Sequence, residues 1–231
     1  MEAIVIAGGK AERLGAAAGG RPKALVPVAG KPLAAYQVAL LARAGVDRVI
    51  VSCARDQGEL FREALAGLGP EIVPVPEPEP LGRGGGLRLA ASHREESGAL
   101  YALNGDDVLD VDLVSLLELH RARRAAATIV VAPLPSAFGV VDVDDDDLVR
   151  GFREAPKLPF WANAGVYVLD DEAIARLPER GDHERSTFPE LAAEGRLAAY
   201  RHDGLWLTVN TPKDLRVAEE FLATHPEWVA A

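Results

Sequence analysis

The chain has 231 residues, of which 48% are hydrophobic and 26% charged, and its formal net charge at pH 7 is −10. This is the composition of an ordinary soluble globular domain, and α/β domains of this length commonly stay undivided. The acidic balance argues against a surface for nucleic acid or acidic membranes, because binding to a duplex needs a basic face. It leaves room for a local basic pocket that holds a small phosphate ligand.

The only cysteine, Cys53, lies in the apolar run RVIVSCA, which is typical of a buried strand. A single thiol cannot form an intramolecular disulfide, so a reducing cytoplasm fits the sequence. Glu2 stands where a signal peptide would be basic, and no apolar run approaches the length of a membrane span. We therefore expect a cytoplasmic protein.

In the first half of the chain, five apolar runs rich in β-branched residues alternate with segments of helical spacing. Strands that are apolar on both faces and alternate with helices indicate a parallel sheet covered on two sides. Ligands bind such sheets beyond the carboxyl ends of the strands, where the loops gather. The expected strands are 3–7, 48–53, 71–75, 99–103 and 127–132, and the expected helices are 32–44, 56–66, 85–96 and 111–124.

The pattern changes after residue 137. FGVVDVDDDDLVRGF predicts a hairpin around an acidic turn, and the run Asp144–Asp147 is interpreted as that solvated turn rather than as a metal site. A strand follows at 163–169, and helices are expected near 171–176 and 187–194. A strand pair at 197–209 leads to a final helix at 212–224, which Thr211 caps and Pro212 begins. The proline-rich stretch at 73–82 is expected to be a stiff loop.

The first loop, IAGGKAERLG, places glycines where a strand ends, so that main-chain N–H groups can approach a phosphate closely. It has neither the G-x-G-x-x-G order nor the G-K-[ST] of a P-loop. Taken alone, this loop could equally be an ordinary strand-to-helix turn that binds no phosphate. The same holds for the glycine run at 82–86. Arg13 and Lys23 strengthen the phosphate interpretation because a triphosphate needs positive charge beside it.

Asp106 follows the expected strand at 99–103, in ALYALNGDD. A carboxylate at the carboxyl end of a central strand can hold Mg²⁺, which prefers oxygen ligands and shares them with phosphate. An Asx-type turn with no ligand is the structural alternative.

These motifs together resemble the sugar-1-phosphate nucleotidyltransferases, in particular the mannose-1-phosphate guanylyltransferase-like and sugar uridylyltransferase-like members. AGGKAERLG followed by RPKALVPVAGKPL is similar to the family signature A-G-G-x-G-x-R-[LM]…P-K…P-V-x-G-K-P-[LM]. The resemblance continues, in the family's order, nearly to the end of the chain. The further matching segments are EPEPLGRGGGLRLA, NGDDVLDVDL, FGVVDVD, NAGVYVL and LWLTVNTPKDLRVAEEF.

The resemblance implies a Rossmann-like, GT-A type fold: a mixed, mainly parallel sheet flanked by helices, with a smaller sugar-binding β-hairpin subregion. It implies one domain over 1–231, with a nucleotide-binding half at about 1–135 and a sugar-binding half at about 136–231. The implied reaction is the Mg²⁺-dependent transfer of a nucleotidyl group from GTP, UTP or dTTP to a sugar-1-phosphate, which releases pyrophosphate.

The resemblance also assigns roles to individual residues. Arg13, Lys23 and Asp106 are implied to be catalytic, and Asp106 and Asn210 are implied to hold the metal. The implied nucleotide-binding residues are Ala7, Gly8, Gly9, Gly82, Arg83, Gly84 and Gly105. The implied sugar-binding residues are Gly139, Glu154, Lys157, Asn163 and Gly165.

Three positions depart from the family pattern. Ala155 stands where the family has a lysine for the sugar phosphate, and Lys157, two residues on, is a candidate substitute. Thr208 stands where the family often has a second metal-binding aspartate, and Asn210 is the preferred replacement, with a simple turn asparagine as the alternative. Arg83 replaces the usual threonine and either touches the base or projects into solvent.

Two other functions stay open at this point. Ala155 and Thr208 would fit a nucleotide-sugar-binding regulatory protein that has little or no catalytic activity, although Arg13, Lys23 and Asp106 argue against it. A nucleotidyltransferase for a non-sugar phosphorylated acceptor is the other alternative. Enzymes of this size often associate, so a homodimer is possible, although no segment of the sequence identifies an interface.

Overall fold

The computed structural model describes residues 1–225 and 228. Strands and helices alternate through the first half, and two 3-10 turns, Glu12–Ala18 and Lys23–Leu25, lie in the long segment after the first strand. The strands are β1 (Glu2–Ile6), β2 (Pro27–Val28), β3 (Lys31–Pro32), β4 (Arg48–Ala54), β5 (Glu71–Glu77), β6 (Leu100–Asn104) and β7 (Asp107–Leu109). The helices are α1 (Leu33–Arg43), α2 (Gly58–Ala64), α3 (Gly82–Ala91) and α4 (Leu113–Arg123).

The second half has longer strands and shorter helices, with one 3-10 turn at His183–Arg185. Its strands are β8 (Ala127–Pro135), β9 (Val140–Val143), β10 (Val149–Arg153), β11 (Lys157–Leu169), β12 (Leu197–Arg201) and β13 (Trp206–Thr208). Its helices are α5 (Asp171–Ala175), α6 (Thr187–Ala193) and α7 (Pro212–Thr224).

Seven strands form one sheet in the order β12-β8-β11-β6-β1-β4-β5. β6, β1, β4 and β5 are parallel to their neighbours in this series, and β12 is parallel to β8. β11 runs antiparallel to both β6 and β8, and so it joins the two parallel groups. This arrangement confirms the predicted mixed, mainly parallel sheet flanked by helices.

Apolar side chains on both faces of the sheet explain why its strands are continuous hydrophobic runs. In β1, Ala3 and Val5 pack with Leu41 of α1 on one face, whereas Ile4 packs with Leu87 of α3 on the other. Successive strand residues point to opposite faces, so each layer of helices needs every second residue. Full burial of a side chain such as Ile4 stabilises the fold by about 1.5–3 kcal/mol.

The expectation of a loop throughout 73–82 is wrong. β5 continues to Glu77, through Pro74 and Pro76, because it lies at the edge of the sheet. An edge strand tolerates proline since one of its sides needs no hydrogen-bond donors. The glycine run at 82–86 is also not a loop: it forms the first turns of α3.

The predicted hairpin at 138–152 is confirmed by the antiparallel pair β9–β10. The predicted strand pair at 197–209 is wrong, because β12 pairs with β8 and β13 pairs with β7. Two hydrogen bonds fix the segment that connects β12 to β13. His202 N–H donates to Val131 O (2.9 Å), and Leu205 N–H donates to Asp110 Oδ1 (2.7 Å).

Within the part of the chain that the structure describes, no helix combines the length and the apolar character that crossing a membrane requires. The division into a nucleotide-binding and a sugar-binding half stays a prediction.

Candidate active site

A cleft of about 980 Å³ opens at the carboxyl ends of β1, β4 and β5. Its walls come from the first loop, from the residues after β4 and from the segment between β5 and α3. Four residues of the predicted nucleotide site line it: Gly8, Gly9, Gly82 and Arg83. The cleft adjoins Lys23, whose main-chain N–H donates to Gly9 O (3.4 Å).

Two other residues of the predicted nucleotide site are held in the sheet by their main-chain N–H groups. Ala7 donates to Ser52 O (2.8 Å), and Gly105 donates to Ile6 O (3.0 Å). A side chain at Gly105 would lie 3.1 Å from Ala24 Cβ, so close packing accounts for this glycine. Nucleotide contact through Ala7 or Gly105 stays a prediction.

A cluster of charged and amide groups lies beside Gly9. The Lys23 ammonium donates to Asp106 Oδ2 and to Asn210 Oδ1, the latter at 2.8 Å, and Arg13 Nη2 donates to the same Asn210 oxygen at 3.0 Å. Lys23 is 9% exposed. The structure therefore brings together the four residues for which the sequence predicts catalytic or metal-binding roles.

The cap of α7 places Asn210. The Asp214 carboxylate accepts from the main-chain N–H groups of Asn210 (3.1 Å) and Thr211 (2.8 Å), while Thr211 Oγ1 accepts from Asp214 N–H (3.3 Å). This capping box fixes the backbone before the helix, and so it holds the Asn210 side chain towards Lys23. Thr208 instead pairs with Asp107 in the β13–β7 ribbon. The geometry favours Asn210 over Thr208 as a ligand.

Asp107 lies next to Asp106 in sequence but is buried. Burial, followed by the negative charge of Asp106, raises the pKa of Asp107 well above its usual range, while Lys23 and a hydrogen bond from Asn104 oppose this shift. Among the described residues, Asn104 Oδ1 has no hydrogen-bond partner. A buried oxygen without a hydrogen-bond partner costs free energy, and Asn104 Oδ1 is available to accept a hydrogen bond from a ligand.

The predicted sugar-binding residues Asn163 and Gly165 lie on an irregular part of β11, where the pairing with β8 shifts register between Asn163 and Tyr167. Asn163 Oδ1 accepts from Gly165 N–H, and Asn163 Nδ2 donates to Tyr167 Oη, both at 2.9 Å. Gly165 has a φ of +73°, and a side chain there would lie 2.9 Å from Asp107 Oδ2. Both residues are therefore close to the strand end that carries Asp106.

The other predicted sugar-binding residues lie around the β9–β10 hairpin. A Cβ at Gly139 would be 3.0 Å from Glu154 Oε2, so the Glu154 carboxylate lies against the backbone that precedes β9. Ala155, at the position of the missing lysine, has a φ of +43°. Lys157 begins β11 and is exposed. Roles for Gly139, Glu154 and Lys157 in sugar binding stay predictions.

Arg83 and the glycine run connect the cleft to the segment at 178–185. Arg83 Nη1 forms an ion pair with Glu184 at 2.8 Å, and Gly84 N–H donates to Gly181 O at 2.8 Å. A Cβ at Gly84 would lie 2.7 Å from both His183 N and Pro178 Cγ. The tight approach of this segment explains the glycine at 84. Contact of Arg83 or Gly84 with a nucleotide stays a prediction.

Sequence reasoning missed Glu77, a buried carboxylate that lines the cleft. Its place in the sequence could have identified it, because Glu77 ends an apolar strand, β5, just as Asp106 follows the apolar strand β6.

Comparison with known proteins gives a match to the family described as "Nucleotidyl transferase" over residues 2–225. The chain is 34% identical, over 225 residues, to a mannose-1-phosphate guanylyltransferase of Mycobacterium tuberculosis; the match covers 93% of this chain and 62% of that protein. It is 32% identical to the mannose-1-phosphate guanylyltransferase catalytic subunit beta of Xenopus tropicalis, with 99% of this chain and 68% of the relative covered. The chain thus spans about three fifths to two thirds of the length of these relatives.

Among solved structures, HddC from Yersinia pseudotuberculosis in complex with GMP-PN superposes with a TM-score of 0.74. The two chains are 22% identical, and the match covers 96% of this chain and 99% of HddC. At this identity the likeness supports the fold alone.

Proposed function

Since the chain belongs to the nucleotidyl transferase family, we propose that it transfers a guanylyl group from GTP to a sugar-1-phosphate and releases pyrophosphate. Mannose-1-phosphate is the first acceptor to test, because the matched relatives are mannose-1-phosphate guanylyltransferases. A homodimer and a cytoplasmic location stay predictions.

One observation carries this proposal: Arg13, Lys23, Asp106 and Asn210 converge beside the cleft. The reaction brings together two anions, a triphosphate and a sugar phosphate, so it needs cations held at a fixed place. Lys23 is held by two oxygen atoms in a largely buried position, which restricts its ammonium to the edge of the cleft.

We further propose that Asp106 and Asn210 hold Mg²⁺. Their carboxylate and amide oxygens are hard ligands of the kind that Mg²⁺ prefers. Both already bond to one cation, the Lys23 ammonium, so their oxygens converge on a site suited to positive charge. Mg²⁺ usually takes only one or two carboxylate ligands from the protein and its other ligands from phosphate and water. A bound Mg²⁺ would neutralise charge on the phosphate oxygens.

In the proposed reaction, an oxygen of the sugar phosphate attacks the α-phosphorus of GTP, and the bond from that phosphorus to the pyrophosphate oxygen breaks. The nucleophile is already an anion near neutral pH, so no residue has to remove a proton from it. Arg13 would bind phosphate through its N–H groups, and Lys23 would offset the charge that develops on the α-phosphate. The protein then has to do two things: position the two substrates and compensate the negative charge on their phosphates.

Asn163, Gly165, Glu154, Gly139 and Lys157 are proposed to bind the sugar phosphate. Carboxylate and amide groups recognise hydroxyl groups well because they present acceptors in a fixed plane. The nearness of Gly165 to Asp107 supports a sugar site that adjoins the phosphate site.

The test is a matrix of GTP, UTP and dTTP against mannose-1-phosphate, glucose-1-phosphate and a non-sugar phosphate, with pyrophosphate release as the readout. We expect release with GTP and a sugar phosphate in the presence of Mg²⁺, and none from the variant Asp106→Ala. Release with the non-sugar phosphate alone would overturn the proposed acceptor. Release in no combination would favour a regulatory binding protein.

A further inference from the structure

Exposed apolar side chains are concentrated in the β9–β10 hairpin and the residues beside it. Of the eleven large hydrophobic side chains that are exposed in the described part of the chain, eight lie within residues 138–161. Soluble monomers rarely expose an apolar patch of this kind, and such a patch marks an interaction site. The eight are Phe138, Val141, Val143, Leu148, Val149, Phe152, Phe160 and Trp161.

The hairpin has one continuous apolar face. Val141 lies directly opposite Phe152, and Val143 lies opposite Val149. Opposed residues of paired strands point to the same side, as do residues two apart in one strand, so these four side chains share a face. They are between 42% and 65% exposed.

The other face of the hairpin is polar. Asp142 and Arg153 alternate with the apolar residues, and they form an ion pair at 3.1 Å. That face is suited to water, so a partner belongs on the apolar one. Within the described chain, β9 and β10 pair only with each other, and an isolated two-stranded hairpin is at best marginally stable in water. Cover on its apolar face would therefore stabilise it.

The sugar phosphate is too small to supply this cover. Its predicted ligands Gly139 and Glu154 lie at the base of the hairpin, whereas Val143 and Val149 lie near the tip. The four residues of β9 extend over about 10–13 Å. A sugar phosphate bound at the base cannot also cover the pair near the tip.

Opposite charges without partners stand at the two ends of the patch. The aspartates at 145–147 form the exposed tip of the hairpin, and no described residue forms an ion pair with them. At the other end, the Arg201 guanidinium lies 5.3 Å from the ring centre of Trp161. No described residue forms an ion pair with Arg201 either, and exposed Lys157 adds a second positive charge at this end.

A surface with an apolar centre, one acidic end and one basic end is complementary to itself. In a two-fold dimer both copies use the same patch, so that the residue that meets its partner's acidic end is also met by it. We infer that the apolar face of the hairpin binds a second copy of this chain, with the two hairpins antiparallel across a two-fold axis. The acidic tip of each copy then lies against Arg201 of the other. Residues 138–161 also supply about the 20–30 residues a side of a standard interface.

The experiment measures molar mass by analytical ultracentrifugation over a range of micromolar concentrations. Val143→Asp places a charge at the centre of the apolar face, and since Val143 is 58% exposed, folding of the chain does not depend on it. Val114→Asp is the matched control. Val114 is 53% exposed and lies in the first turn of α4, where a helix accepts an aspartate.

We expect the wild-type protein and Val114→Asp to be dimers. Val143→Asp should raise the dimer dissociation constant by at least about 100-fold, because an unpaired charge buried in an interface costs roughly tenfold or more and two-fold symmetry counts it twice. Its circular dichroism spectrum should match that of the wild-type protein.

A charge-reversal series tests the arrangement of the two copies without touching the apolar face. Asp145→Lys combined with Asp146→Lys should weaken the dimer by about tenfold at low salt. Addition of Arg201→Glu to this double variant should reverse part of the loss, since the two ends are then complementary again.

A wild-type protein that stays monomeric would overturn the inference and assign the face to a different partner. Dimerisation of Val143→Asp as tight as that of the wild-type protein would also overturn it, because the dimer would then use another surface. A loss in the tip variant that Arg201→Glu does not reduce would contradict the antiparallel arrangement, and this series decides if Val143→Asp does not fold. None of these measurements needs turnover, so their outcome is independent of the proposed function.

Discussion

Replacement of Gly165 by alanine tests the packing that joins β11 to the candidate site. Gly165 has a φ of +73°, a conformation that costs an L-residue about 1–2 kcal/mol. Its added methyl group would also lie 2.9 Å from both Asn104 Cγ and Asp107 Oδ2. Because Asn104 is held at the end of a central strand and Asp107 is buried, relief of this contact must displace groups beside Asp106.

We expect Gly165→Ala to lower the free energy of unfolding by about 2–5 kcal/mol, which is the sum of the backbone cost and about 1–3 kcal/mol for overpacking. Gly195→Ala is the matched control. Gly195 has a φ of +68° and no atom within 4 Å of its Cβ position, so only the backbone cost of about 1–2 kcal/mol applies.

The measurement is urea unfolding of the two variants and the wild-type protein, followed by circular dichroism, with kcat/KM for guanylyl transfer measured in parallel. Gly165→Ala should be the less stable variant and should lose activity, whereas Gly195→Ala should keep it. Equal losses of stability would refute the reasoning that Asn104 and Asp107 press on Gly165.

Three further predictions concern a ligand, a substrate contact and a buried histidine. Asn210→Ala should raise the Mg²⁺ concentration for half-maximal activity by roughly tenfold or more, whereas Asn210→Asp should not; an unchanged Mg²⁺ requirement in Asn210→Ala would count against Asn210 as a ligand. Lys157→Ala should raise KM for the sugar phosphate by about tenfold, whereas KM for GTP should not change. An unchanged KM for the sugar phosphate would show that Lys157 does not bind it. Burial, and secondarily Arg83, lower the pKa of His183 to about 4. His183 then takes up a proton near pH 6.5 in the unfolded chain but only near pH 4 in the folded chain. The free energy of unfolding is therefore highest above pH 6.5, and it falls by about 3 kcal/mol as the pH is lowered to 4. Urea unfolding at pH 7 and pH 4.5 should show a smaller pH-dependent loss in His183→Gln than in the wild-type protein, and equal losses would contradict the shift.

Local signals were enough to predict much of the fold. Thr211 and Pro212 predicted the start of α7, and the structure has this helix at Pro212–Thr224 with the expected cap. The apolar runs predicted five strands of the main sheet because strands covered on both faces are apolar at every position. Signals of this kind depend only on neighbouring residues.

Long-range packing explains where sequence reasoning failed. The glycine run at 82–86 looked like a loop, but Gly84 lies under the segment at 178–183, which is about a hundred residues away in the chain. β12 and β13 looked like a pair, but they pair with two different strands that come earlier in the chain, β8 and β7. Neither contact leaves a local trace in the sequence.

The candidate site was partly predictable for the same reason. Asp106 was found because it follows a clearly apolar strand, and family resemblance drew attention to Asn210. The shared contact of Arg13 and Lys23 with Asn210, across nearly two hundred residues, appears only in the structure. Glu77 was missed because the prolines around it suggested a loop. They lie instead in an edge strand, which tolerates proline and ends at this carboxylate.

The central claim is that one site beside the cleft holds both the metal and the phosphates of the nucleotide. A crystal structure with Mn²⁺ and a non-hydrolysable GTP analogue tests it most directly, because manganese takes similar oxygen ligands and its anomalous signal marks its position. We predict an anomalous peak bound by Asp106 and Asn210, with phosphate oxygens beside Arg13 and Lys23. A metal or triphosphate bound elsewhere, with those side chains still bonded only to one another, would contradict the account.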